Sequence, residues 1–563
     1  MSVPWSKPFG KSPVLFGALL ALLIWLPIPL ASNRPWSWAL MEIWIYLLSA
    51  LWLVKYARGT VGVSASFRKA KPVLALAAVW LAYGIFQMLP LPFSAVSTLS
   101  PNAADMYQRA NRAPTLVEIP ITPDATGADV FVLELEHVVA LLKRHDSDPA
   151  STTPVAPTLP TTDPANTQSF VAGTLAPFPE QTPDSSKIRS SAAPTHDSAG
   201  LDTAASGIRP NSAASGSSFA PYRLTLDIHA SIVAWLKSLA YVLLFSLTLL
   251  LVDSVQRLKM LIYALIFSGI VQAVYGALSV ALTGSGVATG TFVNRNHFAA
   301  YLVLCLAVGI GLLISWTGER QENRSWRRWL RDIARLILSP KAPLRIFLAI
   351  MVIALVLTHS RMGNTSFFVA MLITGVLALI FFKQSPRSTI LLISSLLIID
   401  IVIIGSYVGI EQVRERLEQT ALETETRDEV DIYSWEIVKD YPWVGTGAGS
   451  YYGVFPRYRE ADVEPRLYDH AHNDYLELMS EYGVIGISLL GLVVALALWN
   501  ALVTARTRHH ALMRGMAFAV TMAITAMLIH ASVEFNLQIP AYAATFVIIL
   551  SMSWLARHLK PST

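Results

Sequence analysis

Cysteine and charged residues are both scarce in this sequence. It has a single cysteine, Cys305, among 563 residues, so no disulfide can form within the chain. Only 14% of the residues are charged, 53% are hydrophobic, and the mean hydropathy is +0.48. A soluble protein needs a more polar surface than this composition supplies. The composition therefore excludes a soluble globular protein and indicates a chain embedded in lipid.

The chain is nevertheless basic, with a formal net charge of +5 and a pI of about 9.1. Its Lys and Arg residues are confined to short loops between apolar runs, where membrane topology accounts for them. We therefore do not expect a nucleic-acid partner, and expect membrane lipid to be the main surrounding of the chain.

Twelve apolar runs approach the roughly 20 residues that a helix needs to cross a hydrocarbon layer of ~30 Å. They lie near residues 12–30, 37–55, 72–91, 229–252, 257–283, 297–316, 343–358, 364–383, 388–410, 483–503, 511–531 and 537–556. We therefore predict an all-α polytopic membrane protein with about twelve transmembrane helices.

Clusters of basic residues set the predicted orientation of these spans. They follow the second, sixth, eighth and tenth runs and the last one; examples are Lys55, Arg58, Arg328, Lys383, Arg506 and Lys560. Because cytoplasmic loops carry an excess of Lys and Arg, both termini are expected in the cytoplasm. The sequence divides into spans one to three (1–91), a loop on the opposite, non-cytoplasmic side (92–228), spans four to nine (229–410), a second outer segment (411–482), and spans ten to twelve with a cytoplasmic tail (483–563).

The two outer segments differ in composition. Residues 145–220 of the first are mostly Pro, Ser, Thr, Ala, Asp and Gly without helical or strand period, which predicts disorder. The second is rich in aromatic and charged residues and should fold, with helix predicted from Glu411 to Asp440. Glycines 445, 447 and 449 then permit positive backbone dihedrals and a close approach of a ligand to amide groups, although Gly-x-Gly is also frequent in ordinary turns.

Four polar motifs occur at or near the ends of these spans. They are Asn294-Arg295-Asn296-His297, Ser360-Arg361-Met362-Gly363, the segment from Trp435 to Gly449, and His472-Asn473-Asp474-Tyr475-Leu476-Glu477, which continues into Glu481-Tyr482-Gly483-Val484-Ile485-Gly486. In order and spacing this combination resembles the O-antigen ligase and Wzy polymerase family over most of residues 229–556. Its relatives include O-antigen ligases, polysaccharide polymerases and bacterial protein O-oligosaccharyltransferases. The insertion at 145–220 departs from the compact family pattern.

The resemblance implies a GT-C-like membrane glycosyltransferase in the bacterial inner membrane. Such an enzyme transfers a glycan from undecaprenyl diphosphate to an acceptor hydroxyl at the periplasmic face. The acceptor is another glycan, the lipid A core or a protein hydroxyl, and the sequence does not choose among them. The segment 411–482 is then the catalytic periplasmic segment, and protein O-oligosaccharyltransfer remains an alternative within the same superfamily.

Two arginines fit the demands of such a donor. Arg295 and Arg361 fall at predicted outer ends of helices, where the positive-inside rule disfavours them. The planar guanidinium suits phosphate oxygens and stabilises the charge that develops on a departing diphosphate. The alternative is that each extends to lipid headgroups or pairs with a carboxylate for structure. We predict that both bind the donor diphosphate.

A histidine is the candidate base, because its side chain titrates near neutrality and can accept a proton from the attacking hydroxyl. The family motif places the histidine directly before Asn473, and the resemblance therefore assigns the role to His472 and implies inversion at the anomeric carbon. A purely structural loop histidine is the alternative. Asp469 and Asp474 either orient this imidazole or are solvated loop carboxylates.

Several further residues are candidates for supporting roles. They are Asn294, His297, His470, Asn473, Asp474, Arg457, Arg466 and Asp400. Asn296 is equally well used as a cap for the helix that follows it. The sequence has no Asp-x-Asp pattern at the histidine motif, and the arginines make a metal unnecessary, so we expect neither a metal nor another cofactor.

Asp400 also supports a different function. It lies near the middle of the ninth predicted span, where an ionised carboxylate is costly, and such residues often couple ions to solute movement. Some relatives in the family have been proposed to be bicarbonate carriers, so a solute transporter is the main alternative. The gathering of the polar motifs at one predicted face of the membrane favours the transferase.

Overall fold

A computed structural model describes residues 12–111, 221–284, 286–316, 342–381, 428–460 and 468–560 of the chain. Within these ranges the regular secondary structure is helical. Eleven apolar helices account for most of it: α1 (Pro13–Trp25), α2 (Pro35–Ala57), α3 (Lys71–Met88), α4 (Ile228–Leu251), α5 (Val255–Thr283), α6 (Arg295–Ser315), α7 (Ala342–Leu357), α8 (Arg361–Phe381), α9 (Asp474–Thr507), α10 (Ala511–His530) and α11 (Pro540–His558).

Nine of these helices, among the residues that the structure describes, are long and apolar enough to cross a membrane, and α1 and α7 are shorter. The structure therefore confirms a polytopic helical membrane protein. The predicted run at 388–410, with Asp400, lies outside the described residues, so the count of twelve spans stays a prediction. The same holds for the insertion at 145–220 and for the GT-C-like arrangement.

Helix α6 forms the centre of the bundle. In the most apolar 18-residue stretch of α6, 94% of the residues are buried within the protein, whereas in that of α3 22% are buried. Helix α10 packs against it where two glycines meet, since a Cβ atom built on Gly311 would lie 2.4 Å from the carbonyl oxygen of Gly515. Small residues permit this close approach of helix backbones in membrane proteins. Gly311 lies near the end of α6 and Gly515 near the start of α10, so the two helices are antiparallel.

Helix α9 is broken one quarter of the way along its length. Gly483 has φ +62 and ψ −176, which interrupts the helical hydrogen bonds. The loop that precedes α9 in the sequence replaces them: the amides of Thr446 and Gly447 donate to the carbonyls of Ser480 and Glu481, at 2.9 Å in both cases. On the far side of the break, the amide of Val484 donates to the carbonyl of Pro442 at 2.8 Å.

The glycines of this loop are needed for that backbone contact. Gly445 has φ +70, and a Cβ atom there would lie 2.3 Å from the carbonyl carbon and oxygen of Glu481. The amides of Gly445 and Gly447 are engaged by the carbonyls of Tyr441 and Glu481. These amides therefore hold the protein together and are not available to a ligand, in contrast to the use that the sequence pattern permits.

The end of α3 fixes the same loop from the other side. Tyr83 donates its hydroxyl to the carbonyl of Tyr482 at 2.7 Å, and the Gln87 amide donates to the carbonyl of Val444 at 2.7 Å. A small layer of helices covers this end of the bundle, formed by Phe93–Leu99, Pro101–Asn111, residues 428–440 and Tyr451–Val454. It shares a core that includes Val96, Ile437 and Phe455.

Candidate active site

Each of the three motif-bearing helices starts with a polar cap. The Asn294 side chain accepts from the amide of Asn296 at 2.8 Å, Ser360 accepts from Gly363 at 3.2 Å, and Asn473 accepts from Tyr475 and Leu476. Such caps satisfy amides that have no partner within the helix. The cap of α6 is thus Asn294 and not Asn296, whose side chain is used elsewhere in the site.

Arg295 and Arg361 occupy the first turns of α6 and α8. Both are exposed, and the two helix starts are neighbours, because a Cβ atom on Gly363 would lie 2.5 Å from the Cβ atom of Ala299. A helix N-terminus carries partial positive charge and unpaired amides, which favour bound anions. Two adjacent N-termini that each bear an arginine therefore form a positive region suited to phosphate.

Glu534 connects the motifs of α6 and α9. Its Oε1 atom lies 3.1 Å from the Asn296 side-chain nitrogen and 3.4 Å from His472 Nδ1, and its Oε2 atom lies 3.5 Å from His297 Nε2. The carboxylate is buried, at 1% side-chain exposure. Sequence reasoning missed this residue, which follows α10 in a stretch without a recognisable motif.

The charge state of Glu534 follows from these neighbours. Burial raises the pKa of the Glu534 carboxyl, but hydrogen bonds and attraction from His297 and His472 outweigh it, and the pKa lies well below its usual range. Glu534 is therefore ionised at neutral pH and accepts a hydrogen bond from His472 Nδ1. In the neutral tautomer that donates this bond from Nδ1, the lone pair of the His472 ring is on Nε2.

His472 is held in an uncommon backbone conformation. Its φ is +53, in the left-handed region that residues other than glycine seldom occupy. Its side chain is 23% exposed, so a substrate can reach it while its Nδ1 edge faces the buried carboxylate. Strained conformations of this kind persist where the surrounding structure fixes them, and they cluster at functional sites.

The ring of Phe535 joins three histidines. The His470 ring is stacked on it with centroids 4.3 Å apart, while His297 and His472 contact it edge to face at 4.5 and 4.8 Å. Phe535 is itself buried. It thereby sets the relative positions of the imidazoles that the sequence motifs contribute.

His470 has its own carboxylate partner. Its Nδ1 atom lies 2.8 Å from Glu477 Oε1, and Glu477 Oε2 accepts from the amide of Ala471 at 3.0 Å. Burial lowers the pKa of His470. The charge of Glu477 and the hydrogen bond between the two side chains together outweigh burial and raise this pKa to about 9. His470 is therefore protonated at neutral pH and is unsuited to be a base, which agrees with the choice of His472.

Neither candidate aspartate orients His472. The Asp474 carboxylate is buried and accepts from the amide of Leu537 at 3.2 Å, and Asp469 is exposed. The carboxylate beside His472 is that of Glu534, and the carboxylate beside His470 is that of Glu477. Arg457 is directed to the sulfur of Met106 at 3.0 Å, while Arg466 and Asp400 lie outside the described residues.

The described residues contain no group of three or more His, Cys, Asp or Glu side chains with a spacing that could hold a metal ion. Their chemistry is that of a carboxylate-oriented histidine beside arginine-bearing helix ends. Fold and site together define a polytopic helical membrane protein whose polar motifs gather at one end of its bundle.

Comparison with known proteins agrees with the motif pattern. Residues 346–491 match the family model described as O-antigen ligase. This match supports a relationship of residues 346–491 to the O-antigen ligase and Wzy polymerase superfamily. The matched range contains Arg361 and His472, whereas Arg295 and Glu534 lie on either side of it. No curated protein matches the chain significantly.

Proposed function

We propose that this protein is an inverting, metal-independent glycosyltransferase that moves a glycan from undecaprenyl diphosphate to an acceptor hydroxyl at the periplasmic face of a bacterial inner membrane. The observation that carries the proposal is the pair formed by His472 and the buried, ionised Glu534, at the end of the bundle where α6 and α8 begin with arginines.

In the proposed step, the acceptor hydroxyl donates a hydrogen bond to His472 Nε2. The hydroxyl oxygen attacks the anomeric carbon of the donor from the side opposite the diphosphate, and its proton moves to Nε2. The bond between the anomeric carbon and the diphosphate oxygen breaks, and the diphosphate leaves with the electron pair. Glu534 stabilises the imidazolium that forms, as a buried carboxylate does beside a histidine base. A single displacement of this kind inverts the configuration.

The leaving diphosphate gains negative charge as the bond breaks, and this charge must be stabilised in the transition state. Arg295 and Arg361 supply fixed positive charge and bidentate hydrogen-bond donors. The helix N-termini on which they stand add their dipoles. In this mechanism the arginines do what a divalent cation does in metal-dependent glycosyltransferases.

The periplasmic location rests on the distribution of basic loops. Lys55 in the last turn of α2 and Arg58 just after it lie at the end of the bundle opposite to the site, as do Arg506 and Arg508 at the end of α9. The positive-inside rule assigns that end to the cytoplasm. Cysteine labelling of an Asp469→Cys variant from outside the cells tests this assignment, after Cys305 has been replaced by serine.

The function is tested with purified protein in nanodiscs. Wild-type protein and the His472→Ala, Arg295→Ala and Arg361→Ala variants receive an undecaprenyl-diphosphate-linked glycan with candidate acceptors, and product is measured by mass spectrometry. Arg109→Ala is the control, because Arg109 is exposed and its ion pair within the described part of the chain is with Asp105 of its own helix, at 2.8 Å. We expect transfer by the wild type and the control, and strongly reduced transfer by the three variants.

Full transfer by all three variants contradicts the proposed site. Movement of bicarbonate across vesicles by a wild-type protein that transfers no glycan contradicts the enzyme and supports the transporter.

A further inference from the structure

The first turn of α6 places a second histidine beside the carboxylate of Glu534. His297 Nε2 lies 3.5 Å from Glu534 Oε2, whereas His472 Nδ1 lies 3.4 Å from Oε1. The two imidazoles therefore approach different oxygens of one carboxylate. The proposed mechanism uses His472 and Glu534 but leaves His297 without a role.

The two imidazoles are also arranged alike around one aromatic ring. His297 meets the Phe535 ring at 4.5 Å with an interplanar angle of 75°, and His472 meets it at 4.8 Å with an angle of 82°. They differ in exposure, because the side chain of His297 is 5% exposed and that of His472 is 23% exposed. A substrate can therefore reach His472, while His297 is closed off from it.

The Nε2 atom of His297 is buried and has no hydrogen-bond partner at normal distance within the described part of the chain. Buried polar groups in proteins are nearly always paired, so this N–H needs an acceptor. Glu534 Oε2, at 3.5 Å, is placed to accept from it. Catalytic hydrogen bonds are often long before substrate binds and shorten in the complex. His297 is thus a donor directed at Glu534.

Helix α6 holds the carboxylate with two consecutive residues. Asn296 donates its side-chain amide to Glu534 Oε1 at 3.1 Å, while His297 approaches Oε2. The cap formed by Asn294 fixes this first turn of the helix. The orientation of the carboxylate toward His472 is therefore set by α6 and not only by the loop that carries Glu534.

The two histidines share the charge of one carboxylate. A carboxylate that accepts several hydrogen bonds divides its negative charge among the donors. The part that is directed to His297 is not available to His472. Without the His297 donor, Glu534 would attract a protonated His472 more strongly, and His472 would keep its proton to a higher pH. A histidine that keeps its proton cannot act as the base.

Other ionisable groups act on these two histidines or lie beside them. They are Asp469, His470, Asp474 and Glu477 around the start of α9, His530 at the end of α10, and Arg295 and Arg361 at the starts of α6 and α8. All of them are retained when His297 alone is replaced, so a change in proton binding at His472 then reports the loss of the His297 donor.

We propose that His297 is a positioning residue for the histidine base. It donates from Nε2 to Glu534 Oε2, turns Oε1 toward His472 and takes part of the carboxylate charge. His472 then releases to water the proton that it has accepted in each transfer. This inference rests on the proposed function and deepens it, because it names the residue that adjusts how readily the base gives up its proton.

Two substitutions separate the hydrogen bond from the presence of a side chain. His297→Gln keeps an N–H donor in a similar position, and His297→Leu keeps bulk without a donor. Asn296→Ala, at a half-buried position, removes the neighbouring donor and decides the question if His297→Leu does not fold. Tyr301→Phe is the matched control, because Tyr301 lies one turn further along α6, is buried, and loses a hydrogen bond of 2.8 Å to Ser268.

Proton binding by His472 is measured without a transfer assay. Diethyl pyrocarbonate reacts with unprotonated imidazole, and mass spectrometry gives the rate of modification of His472 between pH 5 and 8 in full-length protein in nanodiscs. We expect this rate to fall on acidification, at a pH about one unit higher in His297→Leu than in the wild type. Asn296→Ala should shift in the same direction. His297→Gln and Tyr301→Phe should follow the wild type.

Transfer by the same variants is then measured as a function of pH. We expect kcat of His297→Leu to fall about tenfold at neutral pH, with little change in KM. The acidic limb of its pH profile should move to higher pH, because His472 stays protonated. His297→Gln should restore most of the wild-type rate, which a purely space-filling role of His297 does not predict.

Three results have distinct meanings. An unchanged modification profile in His297→Leu and Asn296→Ala, or a shift to lower pH, overturns the role of His297 although the transferase stands. Equal losses in His297→Gln and His297→Leu overturn it as well, since the donor is then not what matters. If the wild type transfers no glycan while the modification profile still shifts, the proposed function fails and the coupling of the two histidines stands.

Discussion

The Nδ1 atom of His472 lies 3.4 Å from Oε1 of Glu534, a residue 62 positions later in the chain. The contact is made where α9 begins and shortly after α10 ends. It gives the histidine of the family motif an ionised partner that the motif itself does not contain. Because Glu534 also contacts Asn296 and His297, the same carboxylate joins the starts of α6 and α9.

Glu534→Gln tests the proposed role of this contact. The substitution keeps the size of the side chain but removes its charge, so the imidazolium formed in the reaction is no longer stabilised. We expect kcat to fall by about 100-fold or more, with a much smaller change in KM, and the pH dependence of kcat to change. Glu436→Gln is the control, because Glu436 is half-exposed and its ion pair among the described residues is with Lys439 of the same helix.

The His472→Ala, Glu534→Gln double variant should be little slower than His472→Ala alone, since both residues act in one step. Additive losses of activity would mean that Glu534 acts independently of His472.

Replacement of the arginines should damage the use of the donor. We expect Arg361→Ala and Arg295→Ala each to lower kcat/KM for the lipid-linked donor by about 100-fold, because each removes charge from the site of the departing diphosphate. Arg→Lys at either position should restore activity only in part, since lysine lacks the planar pair of donors. Donor titrations at fixed acceptor concentration measure the effect. Complete rescue by lysine at both positions would mean that positive charge alone attracts the donor and that bidentate hydrogen bonds to the diphosphate are not needed.

Gly445→Ala should destabilise the loop that completes the break in α9. The new Cβ atom would overlap the carbonyl of Glu481, in addition to the cost of a left-handed backbone. We expect a loss of about 2–3 kcal/mol or more, measured as a lower midpoint of thermal unfolding in detergent. Gly59→Ala separates the two causes, because Gly59 has φ +67 in open space and should lose only about 1 kcal/mol. Equal shifts in the two variants would contradict the proposed overlap.

The ion pair of His470 and Glu477 predicts that stability depends on pH in the alkaline range. The pKa of His470 is raised to about 9 in the folded protein from an ordinary value near 6.5. The folded state therefore holds a proton more tightly than the unfolded state does, and the stabilisation is complete below pH 6.5 and lost as the pH rises through 9. Loss of this one proton should lower the free energy of unfolding by no more than about 1.4 kcal/mol per pH unit.

Thermal unfolding between pH 6 and 10 measures this dependence, and His470→Gln should weaken it. His509→Gln, at an exposed position after α9, is the control. An unchanged pH dependence in His470→Gln would show that another group titrates.

The apolar helices could be predicted from the sequence because lipid imposes a local requirement. Every span needs about 20 apolar residues whatever packs beside it, and eleven of the predicted runs correspond to helices of the structure. Helix caps are local as well, which is why Asn294 and Asn473 stand at helix starts. By contrast, the helices Phe93–Leu99 and Pro101–Asn111 are too short and, in the second case, too polar to cross a membrane, and they are stabilised by packing on residues 428–460, so a search for apolar spans did not reveal them.

The sequence by itself determined the class of the protein and the residue types of its chemistry: a lipid-embedded helical chain with arginines and a histidine at the predicted ends of spans. The tertiary structure decided how these residues are used. It placed Glu534 beside His472 and Glu477 beside His470. It also showed that the loop with Gly445 and Gly447 is held by backbone hydrogen bonds within the protein. The physical reason is that a hydrophobic span depends on its own residues, whereas an ion pair or a close backbone contact depends on which distant segments the packing of the helices brings together.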